Sequence, residues 1–207
     1  KAIEENPDKK VYLLSQMIHN PEVNNDLLNR GARFLMDTAG NNVIAFSELN
    51  KEDIVIIPAF GTTLKIEQQL NEIGIDVRKY DTTCPFVERV WKKSEKLGDD
   101  KYTIIIHGKY KHEETRATFS RSEKYSHSII VKDIDESRKL ADFILGKLTR
   151  SEFEAIFKGK YSKGFDPDKD LARVGVINQT TMLATETQEI AEFIRQTMLQ
   201  KYGESNI

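Results

Sequence analysis

Cysteine is nearly absent: Cys84 is the only one among 207 residues. No internal disulfide can form, which agrees with a reducing compartment and leaves that thiol as a buried residue, a thiolate or a metal ligand. Long apolar runs are missing too. The longest, IVIIPAF at 54–60, is far short of the roughly 20 residues that a membrane helix requires, and no signal-peptide pattern opens the chain. These absences point away from a membrane partner and toward a cytoplasmic protein. Neither sign of charge is in excess, with 31 Lys and Arg against 33 Asp and Glu, so nucleic acid is not an expected partner. What remains, 39% hydrophobic and 31% charged residues, is the make-up of an ordinary globular protein able to bury a sizeable core.

Short β-rich runs alternate with amphipathic stretches along the whole chain. VYLLS (11–15) precedes Asn20-Pro21, which opens a helix that Gly31 closes; ARFLM and IVIIP follow, then a helix from Thr62 to Ile73 ending at Gly74. DVRKY (76–80) reads as a strand before the cysteine, and Pro85 to Leu97 as a helix capped by Gly98. YTIIIH, a helix from about His112, HSIIV, a helix from Ile134 to Leu145, RVGVI and a last helix from about Glu186 to Tyr202 continue the rhythm. Such alternation implies an α/β fold with mostly parallel sheets flanked by helices. A boundary near Thr83 divides it into two consecutive small units, 1–83 and 84–207. Residues 149–170 read as a short helix plus a surface excursion. KAIEEN reads as the last turns of a helix whose strand is missing, and KYGESNI stops just past a helix, so the expectation is an interior piece of a longer protein.

Ligands of open parallel sheets bind beyond the carboxyl ends of the strands. The residues following the expected strands are His19-Asn20, Phe60-Gly61-Thr62-Thr63, Thr82-Thr83-Cys84, His107-Gly108 with His112-Glu113-Glu114, and Asn178-Gln179-Thr180-Thr181. Three of the four histidines fall there. Pro85 suits the first helical position and puts Cys84 at the N-cap, where free backbone N–H groups and the helix dipole suit a thiolate or metal ligand; a small buried apolar residue is the equal alternative. His112 and Glu114 sit where an imidazole can hold an anion while a carboxyl relays a proton; equally, Glu113 and Glu114 suit the first turn as acids that complement the dipole. NQTTM can cap a helix or bind a phosphate or hydroxyl. His127 reads as a surface residue, and Trp91 with its helix neighbours as core.

SQMIHNPEVNNDLLNRGARF, IVIIPAFGT, DTTCPFVERVW, HGKYKHEET and INQTTML, in this order and spacing, resemble the 4-hydroxy-3-methylbut-2-enyl diphosphate reductase family (LytB/IspH), most like its plant and cyanobacterial branch. The resemblance implies a three-unit, trefoil-like α/β fold and an iron–sulfur oxidoreductase. That enzyme removes a hydroxyl reductively to give isopentenyl and dimethylallyl diphosphate, the last step of the methylerythritol phosphate route to isoprenoids. It also implies a four-iron, four-sulfur (4Fe-4S) cluster held by three cysteines, and a ferredoxin or flavodoxin as electron donor. By motif match Cys84 is the metal ligand, His19 and His112 hold the diphosphate, Glu114 delivers the proton to the leaving hydroxyl, and Thr180 sits beside that hydroxyl in the relay.

Two departures stand out. Phe60 occupies a place where many bacterial members carry a histidine, and the family's first and third cysteines are absent. One thiolate cannot hold a four-iron cluster, so the expectation is a fragment, inactive alone. Two other readings stay open: a cluster-free protein of the same fold that binds an anion or a partner, and a Cys84–His112–Glu114 hydrolase, which needs the thiol within reach of the imidazole.

Overall fold

The computed structural model describes residues 1–204. The chain folds as two compact units, one of residues 1–88 with 111–117, the other of 89–110 with 118–207. Where helix punctuation puts a single boundary near Thr83, packing carries the first unit on to Glu88 and adds Lys111–Ala117 to it. In chain order the elements are α1 (Ala2–Glu5), β1 (Val11–Leu13), α2 (Pro21–Asn29), β2 (Arg33–Phe34), β3 (Ile54–Ile56), α3 (Leu64–Ile73), α4 (Pro85–Asp99), β4 (Thr103–His107), α5 (Glu113–Ser122), β5 (Ser128–Val131), α6 (Ile134–Ile144), α7 (Arg150–Phe157), α8 (Pro167–Asp170), β6 (Val174–Asn178) and α9 (Ala184–Tyr202). No helix among the described residues is long and apolar enough to cross a membrane.

The first unit is built on a parallel sheet of order β2-β1-β3, with Tyr12 paired to both Arg33 and Val55. Successive strand residues point to opposite faces. Val11, Leu13, Ile54 and Ile56 pack on one side with Ala2 of α1 and Leu27 of α2. Tyr12, Leu14, Val55 and Ile57 pack on the other with Ile66, Leu70 and Ile73 of α3. A sheet covered on both faces needs unbroken apolar strands, which is why these runs lack the alternation of a half-exposed strand. The helices begin and end as punctuated. Asn20 Oδ1 accepts from the Glu22 and Val23 amides at 2.9 and 3.4 Å, Thr63 caps α3, and Gly74 closes it at φ 92°.

The second unit repeats the plan with order β5-β4-β6, all parallel. Ile104, Ile106, Ile130 and Ile177 face Val90 and Leu97 of α4 and Phe119 of α5. Ile105, Ile129 and Val131 face α6, α7 and α9 through Leu140, Phe153, Phe157, Ile190 and Ile194. Each fully buried side chain of this size contributes about 1.5–3 kcal/mol.

Three local expectations change. DVRKY is not a strand. Asp76 Oδ1 accepts from the Arg78 amide in a side-chain-closed turn, and the segment meets β3 only at its end, through the Ile57 amide to the Tyr80 carbonyl and one bridge from Ile57 to Asp81. Gly98 is not a cap. It lies inside α4, where an added Cβ would stand 2.6 Å from Tyr125 Cβ, so the glycine allows a close approach of chains. The 158–166 excursion is partly core. Ile130 donates to the Lys160 carbonyl, Ser162 to the Ser128 carbonyl, and Phe165 packs with Phe153 and Tyr161.

Candidate functional site

In the first unit the loop after β1 carries His19, and a single helical residue holds that loop. Asn24 of α2, 4% exposed, accepts from the Met17 amide at 2.9 Å and donates to the Ile18 and Asn20 carbonyls, each at 2.9 Å. His112, immediately before α5, is 93 positions further along the chain, yet its Nε2 lies 3.0 Å from His19 Nε2. Phe60, buried after β3, contacts both rings. Its centroid is 4.5 Å from that of His19 and 5.5 Å from that of His112, the latter edge to face.

The Glu114 amide donates to His112 Nδ1 at 3.2 Å. A neutral imidazole that accepts at Nδ1 carries its proton on Nε2, so His112 donates and His19 accepts in the pair. Two imidazoles that meet through their Nε2 atoms, with the phenyl ring of Phe60 against both, present two nitrogens to one point. An anion placed there can accept from both once each carries a proton.

Glu114 is sealed from solvent, at 0% exposure. Cys84 is half-buried at the N-cap of α4, with its amide on the Ala59 carbonyl at 2.9 Å and its carbonyl taking the Glu88 amide at 3.1 Å. The preceding turn is set by Asp81 Oδ1, which accepts from both the amide and the hydroxyl of Thr83. His19, Cys84, His112 and Glu114 therefore all belong to the first unit. The two ring nitrogens of His112 meet His19 and the Glu114 amide, a bonding pattern different from the thiol–imidazole dyad of the hydrolase reading.

Thr180 belongs to the second unit, half-buried in the turn after β6. Its neighbour Gln179 fixes that turn: the Gln179 amide donates to the His107 carbonyl at 2.8 Å, and its Oε1 accepts from the Lys109 amide at 3.1 Å. His107 is structural. Fully buried, it meets Thr187 Oγ1 at 2.9 Å through Nδ1, and that hydroxyl in turn donates to the Leu183 carbonyl. Burial pushes the His107 imidazole below its ordinary pKa, against the opposing pull of the Glu186 and Asp133 carboxylates. His127 meets Ser162 and Asp170 rather than standing free on the surface.

Strand-end reasoning does not reach Asn24, and it reaches Glu113 only as a first-turn acid. Asn24 has a signal, because asparagine inside a helix costs propensity and needs a use for its amide. Glu113 faces into the first unit, 7% exposed.

Comparison with known proteins identifies the family and the fold. A model of the LytB protein family matches residues 1–207. A 4-hydroxy-3-methylbut-2-enyl diphosphate reductase of Prochlorococcus marinus (strain AS9601) is 45% identical over 201 residues, which is 97% of this chain and 49% of the relative. The reductase of the same name from Synechococcus sp. (strain CC9311) is also 45% identical over 201 residues, with the same two coverages. The chain thus spans about half the length of the curated relatives it matches. A solved (E)-4-hydroxy-3-methyl-but-2-enyl diphosphate reductase shares the fold at a TM-score of 0.64 and 23% identity, over 94% of this chain and 56% of that one. The reductase structure from Plasmodium falciparum gives 0.62 and 20%, over 97% and 51%. Because the family model matches residues 1–207 of the chain, the chain belongs to the LytB protein family.

Proposed function

We propose that the chain is part of an iron–sulfur oxidoreductase that reductively removes the hydroxyl of 4-hydroxy-3-methylbut-2-enyl diphosphate, yielding isopentenyl and dimethylallyl diphosphate. The observation that carries this reading is the His19–His112 pair at 3.0 Å, assembled against Phe60 from distant parts of the chain. The diphosphate exchanges the single imidazole–imidazole bond for two. His112 turns its Nε2–H to a phosphoryl oxygen, His19 gains a proton and does the same, and such charge-assisted bonds are about twice as strong as neutral ones.

Removal of the hydroxyl as water requires a proton on the leaving oxygen, and two electrons with a second proton at carbon complete either product. A carboxyl sealed from solvent can hold such a proton until the substrate arrives, and Glu114 is our proton donor. Thr180 is assigned to the same relay and to contact with the substrate hydroxyl. The electrons are assigned to a ferredoxin or flavodoxin type donor.

A four-iron, four-sulfur cluster with one open iron takes three thiolates. Cys84 is the only cysteine here, and among the described residues no three His, Cys, Asp or Glu side chains are grouped to hold a metal, so this chain's residues do not fit the whole cluster. Cys84 is proposed as one of its ligands in a longer protein, and the 207 residues alone as inactive. The test is anaerobic expression of the full reading frame with Cys84 intact and as Cys84→Ser, followed by absorption and electron spin resonance. A cluster in the first and its loss in the second are expected; a cluster that survives Cys84→Ser, or none in either, overturns the assignment.

A further inference from the structure

Glu113 is the buried carboxyl that the proposed reaction leaves unused. It is the first residue of α5, 7% exposed, and neither carboxylate oxygen has a hydrogen-bond partner. With Ser15, Met36, Gly40, Thr62 and Arg116 it lines a cavity of about 110 Å³ inside the first unit. That volume has room for several waters.

The charged groups around it do not neutralise it. Arg116 lies one turn along the same helix, but its guanidinium donates to the Thr38 carbonyl at 3.0 Å and to the Ala39 carbonyl. Asp37, in the loop after β2, is held ionised by the amide and side chain of Asn41, each at 2.8 Å, and opposes the pull of Arg116. The Ser15 hydroxyl favours the charged form of Glu113 weakly, yet stands outside hydrogen-bond geometry with either oxygen. Burial therefore decides, and it raises the carboxyl above its ordinary pKa. An ionised carboxylate without donors in such a place costs several kcal/mol, which the group avoids by keeping its proton. A metal or ammonium ion in the cavity would be repelled by the Arg116 guanidinium on the same wall.

Two residues of this wall adjoin the histidine site in sequence: Glu113 follows His112, and Gly61 follows Phe60, whose ring contacts both imidazoles. With both rings neutral, the pair holds one Nε2 proton between two Nε2 atoms, and an anion that takes both as donors requires a second. We propose that Glu113 is the proton store of the His19–His112 pair. When an anion binds the pair, the O–H bond of Glu113 breaks and an N–H bond forms on His19. Carboxylate and imidazolium then appear together, and the protein takes up no net proton from solvent. Each new charge stabilises the other across the interior of one unit. The proposal rests on the reading of the two histidines as an anion site.

The test is calorimetric titration of the full chain with inorganic pyrophosphate near pH 7, in buffers of different ionisation enthalpy, for the wild type and for Glu113→Gln. Glutamine has the shape of the neutral acid and can fold in its place. The proton chemistry of pyrophosphate itself cancels in the comparison. Glu113→Gln is expected to take up about one more proton per pyrophosphate bound than the wild type. On the wild type alone, infrared difference spectra should show a protonated-carboxyl band lost and a carboxylate band gained on binding. Equal proton counts in the two proteins, or no loss of that band, overturn the proposal alone. Absence of pyrophosphate binding to the wild type removes the anion-site reading, and the proposal falls with it.

Discussion

Replacing Asn24 by alanine tests whether one amide positions His19. The substitution removes three hydrogen bonds of 2.9 Å from a side chain that is 4% exposed. At about 1 kcal/mol each, their loss costs about 3 kcal/mol. The two carbonyls keep other partners, since Ile18 also accepts from the Asn20 amide at 2.8 Å and Asn20 from the Asn24 amide at 3.2 Å. The half-buried Met17 amide loses its Asn24 acceptor, which adds up to about 1 kcal/mol. Alanine returns roughly 0.6 kcal/mol through its better helix propensity. The net expectation is a loss of about 3 kcal/mol, a large share of the roughly 5–15 kcal/mol that holds a domain folded. Urea unfolding followed by circular dichroism measures it. Pyrophosphate affinity should fall as well, because the freed loop carries His19. Asn24→Asp keeps the acceptor for Met17 but turns a second oxygen toward two carbonyls, so it should rescue nothing. A loss below about 1 kcal/mol for Asn24→Ala, or near-native stability for Asn24→Asp, would refute the reasoning.

Gly98→Ala should lower the melting temperature although alanine favours helix. The new methyl meets Tyr125 Cβ at 2.6 Å and the Tyr125 backbone at 3.1 Å, an overpacking of about 1–3 kcal/mol against a propensity gain of about 1 kcal/mol. Gly175→Ala is the control. Its methyl meets the Leu97 Cδ atoms at 2.7 and 3.0 Å, the movable end of a side chain, and the loss should be the smaller of the two. His107 should titrate, by NMR of its ring protons, below the ordinary histidine value. Its folded pKa is depressed, so the unfolded chain binds the more protons and this group costs stability as pH falls from about 6.5 toward the folded value. A His107 midpoint above the ordinary value would refute the burial argument.

Most of the architecture was legible because its punctuation acts locally. Asn20-Pro21, Thr63 and Gly74 start or stop helices through bonds within a few residues, and doubly buried parallel strands announce themselves as apolar runs. The misreadings occur where one residue type serves two purposes. Gly98 looks like a helix stop and is a contact with Tyr125; DVRKY has the β-prone residues of a strand, but Asp76 closes a turn within it. The expected surface excursion supplies Tyr161 and Phe165 to the core, a role set by chain segments that no local pattern names. At the candidate site, His19, His112 and Glu114 stand in segments that follow strands, whereas Cys84 follows the turn formed by DVRKY. Which way each points is a tertiary matter. Of the adjacent pair Glu113 and Glu114, both plausible as first-turn acids, neither is a surface acid.

The role of Phe60 follows from what its ring replaces. A histidine at this place would add a third donor; phenylalanine adds none. Yet Phe60 is 7% exposed and touches both remaining imidazoles, so it removes water from one side of each ring and fixes their planes at 32° and 83° to its own. An ionic hydrogen bond gains strength as the local dielectric falls, and a ring already held in place loses less freedom on binding. On the proposed anion-site reading, the binding then rests on two oriented donors, His19 exposed and His112 half-buried. The cost is that neither histidine has a neighbouring imidazole other than its partner with which to share the added proton. A carboxyl one residue from His112, buried and without a donor of its own, answers that need from inside the same unit.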